Sequence, residues 1–117
     1  MTTAIEPMTT ARSHQLQRRN SSAVEYLLNN TGLRRPVSVE PRADAVYVTV
    51  ADPIALLSWL DELGGVPQVV DLPHGFRVWT LRATYPWIAD ETVPVRVCAV
   101  SPLQDDELPH ELRAARS

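Results

Sequence analysis

The stretch Asp52-Pro53-Ile54-Ala55-Leu56-Leu57-Ser58-Trp59-Leu60-Asp61-Glu62-Leu63-Gly64-Gly65 decides the fold class. It reads as one amphipathic helix with both ends marked. Asp52 suits the N-cap, where its carboxylate accepts from free backbone N–H groups. Pro53 fits the first helical position, where no N–H is needed. Leu56, Trp59, Leu60 and Leu63 recur at the i, i+3, i+4, i+7 spacing of a core-facing stripe, and Ile54 and Leu57 widen it. Gly64 suits the left-handed position that ends a helix, with Gly65 as a hinge into the next strand.

The segments on either side read as strands. Upstream, Ala45 to Val50 alternates, with Val46, Val48 and Val50 facing one way and Tyr47 and Thr49 the other. The turn Pro41-Arg42-Ala43-Asp44 joins it to a short strand, Val37 to Glu40, as a hairpin. Earlier still, Arg12 to Asn30 predicts a helix with Leu16, Val24, Leu27 and Leu28 near one stripe. Ser22 with Glu25 fits a capping box, which would start the well-formed part at Ser22. Residues 1–11 read as a flexible tail. Downstream, Val66 to Leu72 and Phe76 to Arg82 form a second hairpin about Pro73-His74-Gly75, and Pro67 marks an edge or a strand end. Ala83 to Thr92 reads as a longer loop. Val93 to Val100 is the last strand, with Val93, Val95, Val97 and Ala99 on one face and Arg96 and Cys98 on the other. Residues 103–117 read as an acidic tail, with Asp105, Asp106 and Glu107, or as a short helix from Pro109 to Arg116.

The order α-β-β-α-β-β-β predicts a single α+β domain over residues 12–102, a small antiparallel sheet with its helices on one face. Such a sheet has open edges, and a homodimer is a natural way to cover them. A chain of 117 residues is long enough to bury a core without disulfides or metals. The net charge of −3 opposes general nucleic-acid binding, which needs a basic excess. All eleven basic residues are arginine, the bias that a GC-rich genome produces. The single cysteine, Cys98, excludes an internal disulfide and a multi-cysteine metal site. No apolar run approaches the about 18 residues of a membrane span, and the N-terminal stretch has no secretory pattern. The expectation is a cytoplasmic protein without membrane, metal or cofactor.

No catalytic pattern stands out. Ser58 and Ser101 carry no nucleophile-elbow sequence, and no base is set beside them. His14, His74 and His110 are scattered and share no metal-ligand spacing. The four glycines are punctuation rather than a phosphate loop. Two surface features remain. One is the loop Tyr85-Pro86-Trp87-Ile88-Ala89-Asp90, since loop aromatics offer large, rigid contact area; Trp87 could equally fold back as a lid over the core. The other is arginine. Arg77 and Arg82 fall on opposite strand faces, and Arg82 and Arg96 share a patch if their strands align. Salt bridges to Asp71 or Glu91 are the plainer role for this set.

Pro36-Val37-Ser38-Val39, Tyr47-Val48-Thr49-Val50, the helix from Asp52-Pro53 through Trp59-Leu60 to Leu63-Gly64-Gly65, and Val93-Pro94-Val95-Arg96-Val97 together carry a family likeness. Over about residues 22–101 the chain resembles small uncharacterised proteins common in actinobacteria, their phages and mobile elements. In those proteins a short Gly turn usually precedes the Val-Pro-Val-Arg-Val strand; here the aromatic loop takes its place. The resemblance implies an origin, not an activity.

These readings predict a non-enzymatic protein-interaction module, a homodimer that in a phage or mobile element would modulate a host factor through Tyr85, Trp87 and Ile88. An accessory nucleic-acid-binding protein is the alternative, using Arg12, Arg18, Arg19, Arg34 and Arg35; it would lose affinity steeply with salt. A third reading is a small enzyme with a site at a dimer interface, where His74 or His110 would meet a carboxylate from the second chain.

Overall fold

A computed structural model describes residues 6–102. The order is α1 (Glu6–Asn30), β1 (Ser38–Pro41), β2 (Val46–Thr49), α2 (Pro53–Leu63), β3 (Val66–Leu72), β4 (Phe76–Pro86), a 3-10 turn (Ile88–Asp90) and β5 (Thr92–Pro102). The expected α+β order is therefore present. The five strands form one sheet in the order β1-β2-β5-β4-β3.

The sheet is mixed rather than wholly antiparallel. Short connections make β1–β2, β3–β4 and β4–β5 antiparallel, but β2 and β5 run parallel, with Val46 beside Val95 and Val48 beside Val97. The reason is the path of the chain. Helix α2 carries it from β2 across to the far edge, where β3 starts. The next two strands fill the gap, and β5 enters beside β2 in the same direction.

Both helices lie on one face. Helix α1 covers β1 and β2; α2 covers β4 and β5. Between them lies a single core of Val46, Val48, Val93, Val95 and Val97 from the centre of the sheet, Trp79 and Leu81 from β4, and Leu27, Leu56 and Trp59 from the helices. Each such side chain contributes roughly 1.5–3 kcal/mol by leaving water. The Trp79 indole N–H, deep in this layer, donates to the Ser101 hydroxyl at 3.0 Å.

Helix α2 starts and stops where its sequence predicts, although Gly64 (φ 70°, ψ −153°) ends it in an extended positive-φ conformation rather than the left-handed helical one. The Ala55 N–H donates to the Asp52 carboxylate at 2.8 Å, and the Gly64 N–H closes the last turn onto the Leu60 carbonyl at 2.7 Å. Its stripe is narrower than expected: Leu56 and Trp59 are buried, Leu57, Leu60 and Leu63 half-buried, and Ile54 points into solvent.

Helix α1 departs further from expectation. It begins at Glu6, with Pro7 in its first turn, so the described part of residues 1–11 is helical rather than a tail. Ser22 lies mid-helix and exposed, not at a cap. Strong helix formers such as Ala11, Arg12, Gln15, Leu16, Gln17, Arg18 and Arg19 carry the helix through a stretch with little apolar signal. One buried polar residue fastens this helix to the sheet. Asn20, fully buried, donates to the Arg42 carbonyl at 2.6 Å and accepts from the Arg19 guanidinium at 3.0 and 3.1 Å. It thereby ties α1 to the β1–β2 turn.

The loop over Ala83–Thr92 is shorter than expected, with residues 83–86 and Thr92 in strands. β4 continues to Pro86 and β5 starts at Thr92, and these two residues still pair. Strands β4 and β5 thus run the full height of the sheet as its two longest members.

The corner after α2 depends on glycine. Gly64 and Gly65 both have positive φ, 70° and 107°. A Cβ at Gly65 would lie 2.4 Å from the Arg82 carbonyl oxygen, whereas one at Gly64 would meet nothing within 4 Å. Gly64 has ψ −153°, a conformation open essentially to glycine alone, so Gly64→Ala is expected to cost about 1–3 kcal/mol of backbone strain. Gly65→Ala adds a backbone collision and should cost clearly more. Urea unfolding of the two variants, compared at equal m-value, measures the difference.

Candidate functional site

The aromatic segment folds back on the protein. Tyr85 is the strand partner of Val93, and Trp87 opens a tight connection in which its N–H donates to the Glu91 carbonyl at 2.8 Å. Ala89 and Asp90 adopt left-handed backbone (φ 56° and 64°) to reverse the chain. The Trp87 ring meets Tyr26 of α1 edge-on, with centroids 5.7 Å apart, and Tyr85 at 6.3 Å. Both Tyr85 and Trp87 are half-buried against the core, and burial pushes the Tyr85 phenol above its ordinary range. The Arg19 guanidinium fastens the same turn through Glu91 at 3.4 Å. Of the three residues expected to meet a partner, only Ile88, 66% exposed, stands free.

The N-terminal arginines do not converge. Arg12 and Arg18 are exposed on α1, six residues and therefore about 120° apart around the helix. Arg19 is engaged with Asn20 and Glu91. Arg34 and Arg35 follow the far end of α1, about 27 Å along its axis from Arg12. They line a cleft of about 380 Å³ whose wall includes Asp52 and Ser58, so a carboxylate already shares their space.

Nor do the candidate catalytic groups assemble among the described residues. His74 occupies the β3–β4 turn with φ 71°, exposed to solvent. Ser101 is taken by Trp79. No group of three His, Cys, Asp or Glu suited to a metal occurs among the described residues. His110 and the acidic residues 105–107 lie outside them.

The informative surface is the sheet face that no helix covers. Across the strands, its side chains form rows. One row is Glu40, Tyr47, Arg96, Arg82 and Val66; the next is Ser38, Thr49, Cys98, Thr80 and Gln68. The third is Val100, Val78 and Val70, and the fourth Pro102, Phe76 and Leu72. The face is thus apolar at one end and carries its arginine pair toward the other, where uncharged Thr84, Pro94, Pro86 and Thr92 follow, with small neutral residues between the two.

At the apolar end Val70 is 59% exposed, Val100 49%, Phe76 48% and Leu72 41%. The patch adjoins the outer edge of β3, which has no strand partner among the described residues. Single hydrophobic residues reach many protein surfaces, whereas these rows form one contiguous uncharged patch. At the other end, Arg82 and Arg96 stand directly opposite each other, as alignment of their strands requires. Arg77 faces the other way; it is buried and bonds its cross-strand neighbour Asp71 at 2.5 Å. Tyr47 closes the basic row, donating to Asp44 at 2.6 Å while the Arg42 guanidinium sits 4.9 Å over its ring. That hydrogen bond holds the Asp44 carboxyl below its usual range and lifts the Tyr47 phenol above its own.

The sequence hides this division because β3 and β4 do not alternate cleanly. Val69-Val70 and Val78-Trp79 place apolar residues on both faces, and only the register tells which of them face solvent. Packing and exposure separate Trp87 from Ile88 in the same way. Trp87→Ala is expected to cost about 2 kcal/mol of folding stability through lost packing on Tyr26 and the core. Ile88→Ala should change stability by less than about 0.5 kcal/mol. Chemical denaturation of the pair checks both values. No family model matches the chain, and no curated protein and no solved structure matches it either.

Proposed function

We propose that this domain is a non-enzymatic protein-interaction module that self-associates as a homodimer through the apolar end of its open sheet face. The observation that carries the reading is the pair of uncharged outward rows centred on Val70, Val78, Val100 and Phe76. Exposed area of this kind, on the order of several hundred Å², is the scale at which patches on soluble domains mark contacts. A second copy is the occupant that fits best. A two-fold contact brings the same patch together from both sides, and a surface without charge is complementary to itself. Stacking would bury apolar rows against each other and leave the basic rows at opposite ends, away from the contact. The free edge of β3 beside the patch gives the same pairing a second route, by strand addition.

A further, host-derived protein partner is the second part of this reading. In such an assembly Ile88, at the tip of the β4–β5 connection, is the exposed apolar contact that a dimer leaves available. A homodimer predicts a concentration-dependent mass in sedimentation equilibrium. Val100→Glu and Phe76→Glu should each raise the dimer dissociation constant at least about thirty-fold, the loss expected at an interface hot spot of ~2 kcal/mol. Far-UV circular dichroism should stay unchanged, and Ile88→Glu should leave the dimer intact. A wild type that stays monomeric at every accessible concentration overturns self-association.

A further inference from the structure

The basic end of the open face has a different character from the apolar end. Arg82 and Arg96 are direct cross-strand neighbours on the two long central strands. Like charges so placed repel and weaken a sheet. Neither guanidinium has an ion pair among the described residues. The one hydrogen bond Arg96 makes there runs from Nη1 to the carbonyl of its own neighbour, Val95, at 3.3 Å. The outward positions around them are uncharged: Tyr47 and Val66 in the same row, Thr80 and Cys98 on one side, Thr84 and Pro94 on the other. Glu40, the acid in this row, is bonded to Arg42. The two arginines border a shallow cleft of about 280 Å³ whose other walls include Leu63, Gly65 and Thr84. Gly65 is the residue whose missing Cβ lets the α2–β3 corner close down on the Arg82 backbone. The cleft therefore depends on the most constrained glycine in the domain.

We infer that Arg82 and Arg96 form a binding site for a phosphomonoester group. The charge and donor count select the ligand. Two guanidinium forks carry two positive charges, and the hydroxyls of Thr80 and Thr84 flank Arg82 on the same strand face. A phosphomonoester carries close to two negative charges near neutral pH and three acceptor oxygens, so it can bridge both forks at once. A carboxylate has one charge and two oxygens and leaves one arginine unmatched. An internal phosphodiester also has a single charge. Bound phosphate replaces the repulsion between the two strands with attraction, which explains why a like-charged pair persists at the centre of the sheet. The site is separate from the apolar patch, with a neutral row between the two.

The test is a ¹H–¹⁵N chemical-shift titration with inorganic phosphate at constant ionic strength, repeated with acetate. Phosphate should give saturable shifts centred on residues 80–84 and 94–98 and the adjoining cleft wall at Leu63 and Gly65, at least about ten-fold tighter than acetate. Arg82→Gln and Arg96→Gln should each abolish saturation. Each should also unfold at a higher temperature than wild type in chloride, because the repulsion is gone, while losing the stabilisation that phosphate gives the wild type. A nucleoside monophosphate and a phosphoserine peptide then distinguish the source, and tighter binding of either one than of inorganic phosphate supports the site. Equal response to acetate, shifts that survive in both variants, or tighter binding of an unphosphorylated-end oligonucleotide than of any phosphomonoester overturns it.

Discussion

Everything in this domain rests on the place of β5. It is the last strand in sequence and the middle strand in space. On either side of it lie two halves of the sheet: β1–β2 with α1 over them, and β4–β3 with α2 beside them. Neither half can close a core alone, because the valines that fill the centre, Val93, Val95 and Val97, belong to the strand between them. Insertion of β5 pairs it on both sides at once and brings α1 and α2 onto a continuous sheet. Its contact with β2 joins residues about fifty positions apart, a costly loop closure that later contacts must repay. Pairing between residues so distant in sequence slows folding relative to local contacts.

How far this can be read from the residues depends on whether the cause is local. Helix α2 is fully legible, because Asp52, Pro53 and Gly64 act within one turn of where they sit. The same holds for the faces of β2 and of β5 as far as Cys98, where valine alternates with other residues; Val100, on the outer face, breaks the pattern. The parallel pairing of β2 with β5 is not legible, since it depends on the route of α2 and the order of later strands. Apolar patterning makes helix α1 too short: its first turns depend on propensity rather than an apolar stripe, and its key anchor is Asn20, a residue that amphipathic patterning counts as polar and therefore outward. The Ala83–Thr92 segment resembles a loop because Pro86 and Trp87 interrupt the pattern. Proline is tolerated at the last position of a strand, and it is there that Pro86 sits.

The candidate surfaces obey the same rule. The aromatic segment is conspicuous in sequence, yet Tyr85 and Trp87 spend their area on Tyr26 and the core. The alignment of Arg82 with Arg96 is foreseeable only as a condition on register. The apolar rows of the open face carry no clean signature, because Val70, Val78 and Val100 each follow or precede an apolar residue of the opposite face, Val69, Trp79 and Ala99. What distinguishes Val70 from Val69, or Val78 from Trp79, is the side of a pleat. One helix layer can cover one face only, so the opposite face of a five-stranded sheet is left to whatever the surface chemistry recruits.

Cys98 gains a practical meaning from this arrangement. It is the chain's single thiol, half-buried in the neutral row that separates the apolar end of the open face from its basic end. A small fluorophore or spin label attached there would stand within two rows of both. Quenching or broadening of its signal would report events on either side from one position, without any engineered cysteine to perturb the sheet.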